Sequence, residues 1–225
     1  MTKAVTFENV SLSLKAQAGP VEILKSVSFN LAQGEAIGII GPSGSGKTSL
    51  LMVASGLEAT TTGKVEVAGV VLDGKSEAAL AQFRRDNIGI IFQSFHLIPT
   101  MTALENVAVP LEFKGRADAL VQAEAGLRRV GLGHRLTHYP SQLSGGEQQR
   151  VAIARAVTAG AKILLADEPT GNLDQETGGA IIDLLFELKK KDGATLLLVT
   201  HDRQLAKRCN RILEVRDGQV SEGRI

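Results

Sequence analysis

A glycine-rich stretch directly after a short apolar run constrains the fold of this chain more than any other feature. Residues 41–48, Gly-Pro-Ser-Gly-Ser-Gly-Lys-Thr, match the phosphate-loop pattern GxxxxGK[ST] in full. The apolar run Ala36–Ile40 before them predicts a buried strand, and Ser49–Ser55 after them predicts a helix. This order of elements is typical of an α/β protein that binds phosphate at a helix N-terminus.

The residue types of this loop fit a nucleoside triphosphate with its Mg²⁺. Glycines let the backbone approach the phosphates closely, and the helix N-terminus adds about +0.5 of positive charge. Lys47 is expected to pair with β- and γ-phosphate oxygens, and the Thr48 hydroxyl to ligate Mg²⁺. The expected nucleotide-contacting residues of the loop are Gly41, Pro42, Ser43, Gly44, Ser45, Gly46, Lys47, Thr48 and Ser49.

Further apolar runs predict the other strands of a mostly parallel core sheet. These runs are Ile88–Phe92, Ile163–Ala166 and Leu196–Val199. A helical pattern over Gln175–Lys191 lies between the last two of these runs, with Asp174 as its expected N-cap and Gly193 just beyond its expected end. Strands that alternate with helices predict an α/β fold with a parallel sheet.

Two parts of the chain depart from this alternation. Val5–Leu14 and Val21–Leu31 alternate apolar and polar residues around the turn sequence AQAGP, which predicts an antiparallel β-subdomain at about 1–34 and 64–72. Residues from about 95 to 148 are mostly helical in pattern and predict an inserted helical subdomain. We expect these parts to belong to one domain over residues 1–225.

Charge and cysteine content exclude several classes of protein. With 25 basic and 24 acidic residues the net charge is +1, so no bulk charge indicates a nucleic-acid partner. Cys209 is the one cysteine, which rules out an internal disulfide and favours a reducing compartment. Residues 1–10 lack the long apolar core of a signal peptide, and the sequence has no run of eighteen apolar residues, so any membrane part is expected to come from another chain.

Polar side chains follow the predicted parallel strands. Asp167 suits Mg²⁺, usually through a water, and Glu168 can orient or deprotonate the attacking water. Gln93 can contact both the Mg²⁺ and this water through its amide. His201 can hydrogen-bond a γ-phosphate and hold the water of Glu168, although a helix cap or a satisfied core histidine is the alternative interpretation. Strand-end acids alone are weak evidence, and the loop at 41–48 makes the prediction specific.

Six motifs in this order make the chain similar to an ABC-type ATPase. They are the loop at 41–48, Gln93, the signature Leu143-Ser-Gly-Gly-Glu147, Asp167-Glu168, Gly171-Asn-Leu-Asp174 and His201. The signature is the most specific of them, because small kinases and GTPases lack it. The resemblance covers essentially the whole chain. It implies a P-loop NTPase fold with an antiparallel β-subdomain and an inserted helical subdomain, and hydrolysis of ATP with Mg²⁺.

Two stretches of the sequence narrow the resemblance to one class of ABC-type ATPases. The stretch Phe92–Val107 and the GNLD sequence resemble the lipoprotein-release and macrolide-exporter class (LolD- and MacB-like), and most of all the YbbA-like ATPases of bacteria. This implies a motor subunit on the cytoplasmic face of the inner membrane that drives a separate permease with a periplasmic domain. An ATP-switched regulatory or scaffold ATPase without transport is the alternative. A DNA-repair ATPase head is a poor fit, because only about fifty residues lie between Gln93 and Leu143.

The resemblance also implies a head-to-tail dimer of two copies of the chain. Ser144 and Gly146 would contact the γ-phosphate that the other copy holds, and Asp174 would lie near the same junction. Gly145 and Glu147 of the signature are also expected among the nucleotide-binding residues. A second anion-binding helix N-terminus is useful only if it reaches an anion that its own chain does not hold. ATP binding would then close the dimer and hydrolysis would release it.

One residue and one short segment leave alternatives open. Family members usually stack an aromatic side chain on adenine at the end of the first antiparallel strand, and Leu14 is expected there instead. An apolar adenine contact and plain strand packing are equally good interpretations of Leu14. The apolar residues after Gln93 can pack inside the helical subdomain or line a groove for a helix of the membrane partner. These residues are Phe95, Leu97, Ile98 and Met101.

Overall fold

The computed structural model describes residues 2–16 and 19–223. The expected AQAGP turn includes Gln17 and Ala18, which lie outside the described residues. The chain divides into two compact units, the first of Met1–Arg84 with Ala194–Ile225 and the second of Arg85–Gly193. Among the helices of the described residues, none is long and apolar enough to cross a membrane.

The secondary structure alternates as the sequence patterns predict. The strands are β1 (Lys3–Ala16), β2 (Gly19–Ala32), β3 (Ala36–Ile40), β4 (Thr62–Val67), β5 (Val70–Val71), β6 (Ile88–Phe92), β7 (Ile163–Asp167), β8 (Thr195–Val199), β9 (Arg211–Arg216) and β10 (Gln219–Gly223). The helices are α1 (Lys47–Ser55), α2 (Glu77–Asn87), α3 (Ala103–Phe113), α4 (Ala119–Arg129), α5 (Gly145–Thr158), α6 (Gln175–Asp192) and α7 (Arg203–Ala206), with a 3₁₀ turn at Pro140–Gln142.

The first unit contains an antiparallel sheet and a set of parallel strands. The antiparallel strands lie in the order β2-β1-β4-β5, and the buried rings of Phe7 and Phe29 stack between β1 and β2 with centroids 4.7 Å apart. β3 pairs in parallel with both β8 and β9. Every residue of β3 and β8 is buried, which explains why both sequences are apolar except for Thr195 at the start of β8. A hairpin turn at 216–219 joins the antiparallel β9 and β10.

The second unit combines two parallel strands with the helical subdomain. β6 and β7 pair from Ile88 opposite Ile163 to Phe92 opposite Asp167. α3, α4 and α5 pack against one another over a core that includes Val107, Leu127 and Ile153. Helical structure therefore occupies the part of the chain where the sequence predicts it.

Helix α6 confirms both of its predicted ends. The side chain of Asp174 accepts a hydrogen bond of 2.9 Å from the backbone N–H of Thr177, as expected of an N-cap. Gly193 ends the helix in the left-handed conformation, with φ of 67°. The side chains on the buried face include Ile181, Ile182 and Leu185.

Candidate nucleotide-binding site

The loop between β3 and α1 leaves the first turn of α1 open to an anion. Gly46 is the N-cap residue, with φ of 104°, and no side chain caps the helix there. A Cβ at Gly46 would lie 2.9 Å from the carbonyl oxygen of Ile23, so only glycine fits. Because Gly46 has no side chain to cap the helix, the start of α1 suits the binding of a phosphate group.

Lys47 is buried beneath this loop. The residue is 7% exposed, and its Nζ donates hydrogen bonds to the carbonyl oxygens of Gly41 (3.0 Å) and Pro42 (2.7 Å). Ser45 is also buried, and its Oγ has no hydrogen-bond partner among the described residues. A buried positive charge and an unsatisfied hydroxyl in one loop fit a bound phosphate chain, whose oxygens satisfy both.

His201 and this loop lie at the same edge of the parallel strands. Ile39 of β3 pairs with Val199 of β8, and the N–H of Thr200 donates to the carbonyl oxygen of Ile39 (3.1 Å). Gly41 and His201 each follow the paired residues by two positions, so both lie just beyond the carboxyl ends of adjacent strands. Asp202, rather than His201, caps α7, which removes the helix-cap alternative for the histidine.

Leu14 forms an exposed apolar pair with Val21 on the β1–β2 hairpin. The two residues are 39% and 48% exposed, so neither belongs to the core. Ile23, two residues after Val21 on β2, packs its carbonyl oxygen against Gly46. Strand β2, on which Val21 pairs with Leu14, therefore also passes next to the phosphate loop at Ile23. A contact of Leu14 to the nucleotide base stays a prediction beside plain strand packing.

In the second unit, the side chains predicted to bind Mg²⁺ follow the carboxyl ends of the paired strands β6 and β7. Asp167 pairs with Phe92 across the two strands, and Gln93 follows Phe92 directly. Glu168, the next residue after β7, has φ of 45°, a left-handed conformation that non-glycine residues adopt rarely. Such strained backbone is often found at functional sites, and here it occurs at the predicted general base.

Gln93 is held by a residue that sequence reasoning missed. The Nε2 of Gln93 donates to the Oδ1 of Asn172 (3.2 Å), and the Nδ2 of Asn172 donates to the carbonyl oxygen of Gln93 (3.0 Å). Gly171 lies against the same amide, since a Cβ on it would be 2.7 Å from the Nε2 of Gln93. The GNLD sequence contains this asparagine, but only the fold shows that it contacts a residue 79 positions earlier.

The signature residues begin helix α5, whose N-terminus is capped by side chains. Ser144 caps α5 in a capping box: its Oγ accepts from the N–H of Glu147 (3.2 Å), and Glu147 accepts from the N–H of Ser144 (2.8 Å). Arg135 forms an ion pair of 2.9 Å with Glu147. The Ser144 N–H, and after it the Arg135 guanidinium, hold the pKa of Glu147 below its ordinary value.

The signature glycines are packed against the segment that contains Asp174. A Cβ at the buried Gly146 would lie 2.6 Å from the Cγ2 of Thr177, and one at Gly145 would lie 3.2 Å from the Cδ2 of Leu173. The hydrogen bonds from Thr177, side chain first and then backbone, lower the pKa of Asp174. The sequence predicts both motifs but not their direct contact.

Comparison with known proteins gives the family. The model of the family described as ABC transporter matches residues 24–171. The chain belongs to the ABC transporter family. It is 49% identical over 204 residues to the Uncharacterized ABC transporter ATP-binding protein YbbA of Escherichia coli, covering 90% of both chains. It is 45% identical over 223 residues to the lipoprotein-releasing system ATP-binding protein LolD of Shewanella denitrificans, covering 98% of this chain and 96% of the relative.

Solved structures of ABC cassettes have the same fold. The dimeric post-hydrolysis state of the ATP-binding cassette MJ0796 bound to ADP and Pi is 41% identical, covers 98% of both chains and has a TM-score of 0.91. A second dimeric structure of that cassette has a TM-score of 0.90. The predicted ABC ATPase fold is therefore confirmed, as is the prediction of an ATP-binding, ATP-hydrolysing motor subunit of an ABC transporter.

Substitution of Gly171 by alanine is expected to lower the turnover of ATP without weakening ATP binding. The added methyl group would displace the amide of Gln93, which lies 2.7 Å from its position. Misplacement of a catalytic group by about 1 Å can cost up to ~10² in rate. Steady-state phosphate release and nucleotide titration measure the two effects separately.

Gly179→Ala is the matched control for this substitution. Gly179 also lies in the second unit, and a Cβ there has no atom within 4 Å. We expect unchanged turnover and equal or slightly higher stability, because alanine favours a helix over glycine by roughly 0.5–1 kcal/mol. Equal turnover of the two variants would contradict a role for the Gly171–Gln93 contact.

Proposed function

We propose that this ABC ATPase binds Mg-ATP at its phosphate loop and hydrolyses it with Glu168 as general base. The buried Lys47 beneath an uncapped helix N-terminus is the observation that carries the proposal. In the proposed site, Lys47 binds β- and γ-phosphate oxygens and His201 binds the γ-phosphate. Glu168 takes a proton from the attacking water, which Gln93 and His201 help to orient.

The ligands available for Mg²⁺ fit this ion. A hydroxyl from Thr48, an amide oxygen from Gln93 and a carboxylate from Asp167 are the hard oxygen ligands that Mg²⁺ prefers. The pairing of Phe92 with Asp167 brings two of the three to adjacent strand ends. When bound, the ion would neutralise charge on the β- and γ-phosphates.

We propose further that two copies assemble head to tail. The cassette MJ0796 is dimeric in both of its structures, one of which contains ADP and Pi. The capped start of α5 supports this assembly, because Ser144, Gly145 and Gly146 form a second helix N-terminus that is distinct from the phosphate loop. Each ATP would then be bound by the loop of one copy and the signature of its partner, with Asp174 near the junction.

The dimer can be tested with a variant that binds ATP without hydrolysing it. Glu168→Gln is expected to change from monomer to dimer when saturated with Mg-ATP, as measured by light scattering, because two nucleotides link the two copies. With ADP it is expected to remain monomeric. The double variant Glu168→Gln with Ser144→Arg is the control, since an arginine at the exposed cap would block the partner. A strict monomer at saturating Mg-ATP would contradict the head-to-tail assembly.

We propose that the membrane partner is a permease with a periplasmic domain, and that the dimer associates peripherally with the cytoplasmic face of the inner membrane. The LolD relative is named for a lipoprotein-releasing system, which supports this class of complex. Ile98, exposed at 36% after Gln93, offers an apolar surface to such a partner. Affinity purification from solubilised membranes tests the proposal. Isolation without any integral membrane protein would favour the regulatory or scaffold alternative.

Replacement of Leu14 by tyrosine is expected to tighten ATP binding more than tripolyphosphate binding. An aromatic ring at this exposed position can stack on the base, which is worth about 1–3 kcal/mol, whereas tripolyphosphate has no base. Competition against a fluorescent nucleotide measures both affinities. Lys3→Ala, at the other end of β1, serves as a control with no expected effect. Equal changes for the two ligands would show that Leu14 is remote from the base.

A further inference from the structure

The turn that follows Gln93 has an unusual backbone. Phe95 and His96 are consecutive non-glycine residues with φ of 60° and 46°. L-residues adopt this left-handed conformation singly and rarely, and a pair persists only where the surroundings impose it. The rings of Phe92 and His96 contact each other at an angle of 35°, with centroids 4.5 Å apart, which closes the turn on the end of β6.

Arg155 of helix α5 makes the hydrogen bonds that hold these two residues in the left-handed conformation. Its guanidinium donates to the carbonyl oxygen of Phe95 (2.8 Å) and to that of His96 (2.6 Å), so it binds both left-handed residues at once. Among the described residues Arg155 has no carboxylate partner, and burial lowers its pKa. A half-buried guanidinium whose partners are two backbone carbonyls is specific for the shape of that backbone.

A second polar side chain, that of the buried Asn106, holds the end of the same turn that lies away from Gln93. Asn106 of α3 is fully buried, accepts from the N–H of Ile98 (2.8 Å) and donates to the carbonyl oxygens of Ile98 and Met101. The segment 94–101, which we call the Gln93 turn, is thus held at both ends by polar side chains of the helical subdomain. Arg155 holds the end next to Gln93.

Arg155 also connects this turn with the signature. It lies about three helical turns after Ser144 on α5, and the ring of Phe95 lies close to the start of that helix, 3.9 Å from a Cβ built at Gly145. Helix α5 therefore contacts the Gln93 turn through both its first residues and Arg155. A movement of this helix changes the position of the turn.

We propose that Arg155 is a positioning residue for ATP hydrolysis: it fixes the turn after Gln93 and thereby makes the location of the Gln93 amide depend on the signature helix. The proposal rests on the proposed role of Gln93. Arg155 itself contacts neither nucleotide nor the attacking water. Its effect on the rate is exerted through Gln93 alone.

A double-mutant cycle tests this dependence. Arg155→Ala is expected to lower kcat about 10- to 100-fold, the cost of misplacing a catalytic group, with little change in the KM for ATP. Arg155→Lys keeps one of the two bonds and is expected to recover part of kcat. In a Gln93→Ala background, Arg155→Ala is expected to cause no further loss, because the group it positions is gone. If the losses of kcat caused by Gln93→Ala and Arg155→Ala multiply in the double variant, the proposal is overturned.

The controls separate positioning from general stability. Arg128→Ala removes an exposed arginine that pairs with Glu124 on α4, and it is expected to leave kcat unchanged. Thermal melting shows whether each variant is folded at the assay temperature. If Arg155→Ala is unfolded, the cycle is run with Arg155→Lys. A kcat for the Arg155 variants equal to that of Arg128→Ala would also overturn the proposal.

Amide hydrogen exchange tests, independently of catalysis, whether Arg155 stabilises the backbone of the turn. Arg155→Ala or Arg155→Lys is expected to speed amide exchange in residues 95–98 while β6 and α4 keep their protection. Unchanged exchange in these amides would overturn the proposal even if kcat falls. Wild-type turnover by Gln93→Ala, together with faster exchange in the Arg155 variants, would instead refute the proposed catalytic role of Gln93.

Discussion

Glu168→Gln is expected to lower the turnover number for ATP hydrolysis by at least ~10²-fold, the usual scale for loss of a general base. Glutamine has nearly the same shape as glutamate, so it keeps the packing at the end of β7 but cannot accept a proton from water. Since the phosphate loop is untouched, the affinity for ATP is expected to remain as in the wild type. Single-turnover phosphate release measures the first quantity, and equilibrium nucleotide titration measures the second.

The control for this substitution is Glu187→Gln, which changes an exposed carboxylate on α6 in the same way. We expect that control to hydrolyse ATP at the wild-type rate. Normal turnover by Glu168→Gln would contradict the assignment of the general base and would leave the left-handed conformation of Glu168 without a catalytic explanation.

Lys47→Ala is expected to weaken ATP binding by roughly 10- to 100-fold. The substitution removes a buried positive charge, and hydrogen bonds to charged groups contribute about 1.5–3 kcal/mol, where 1.4 kcal/mol is tenfold in affinity. The loop itself keeps its carbonyl oxygens, so the loss is specific to the phosphate chain. Titration with ATP and with adenosine separates the two contributions, because adenosine has no phosphate.

Lys64→Ala provides the matched lysine control. Lys64 lies on β4 in an exposed ion pair with Glu66, and such pairs contribute little to stability. We expect its ATP affinity to equal that of the wild type. An unchanged ATP affinity in Lys47→Ala would show that the buried ammonium stabilises only the empty loop.

Much of the fold could be predicted because its signals are local. The apolar runs of β3 and β8, the N-cap Asp174 and the end of α6 at Gly193 each follow from a few neighbouring residues. The phosphate loop is equally local, since its glycines and Lys47 are consecutive in sequence. The structure describes all of these elements as the sequence predicts them.

The contacts that organise the second unit could not be predicted in this way. Asn172 lies 79 positions from Gln93, and Arg155 lies 60 positions from Phe95. No pattern in either segment indicates the other, because these hydrogen bonds form only after α5 and α6 have packed. The left-handed backbone at Glu168 has no sequence signal either, since glutamate rarely adopts it.

The capping box at Ser144 determines what the start of α5 can recognise. The serine oxygen accepts from Glu147, and the Glu147 carboxylate is engaged by the Ser144 N–H and by Arg135. The Ser144 oxygen and the Glu147 carboxylate are thus already engaged within the chain. In the proposed dimer, this helix end would contact the neighbour's terminal phosphate and would meet only water when the nucleotide is one phosphate shorter. The signature would then distinguish ATP from ADP without any contact to base or sugar.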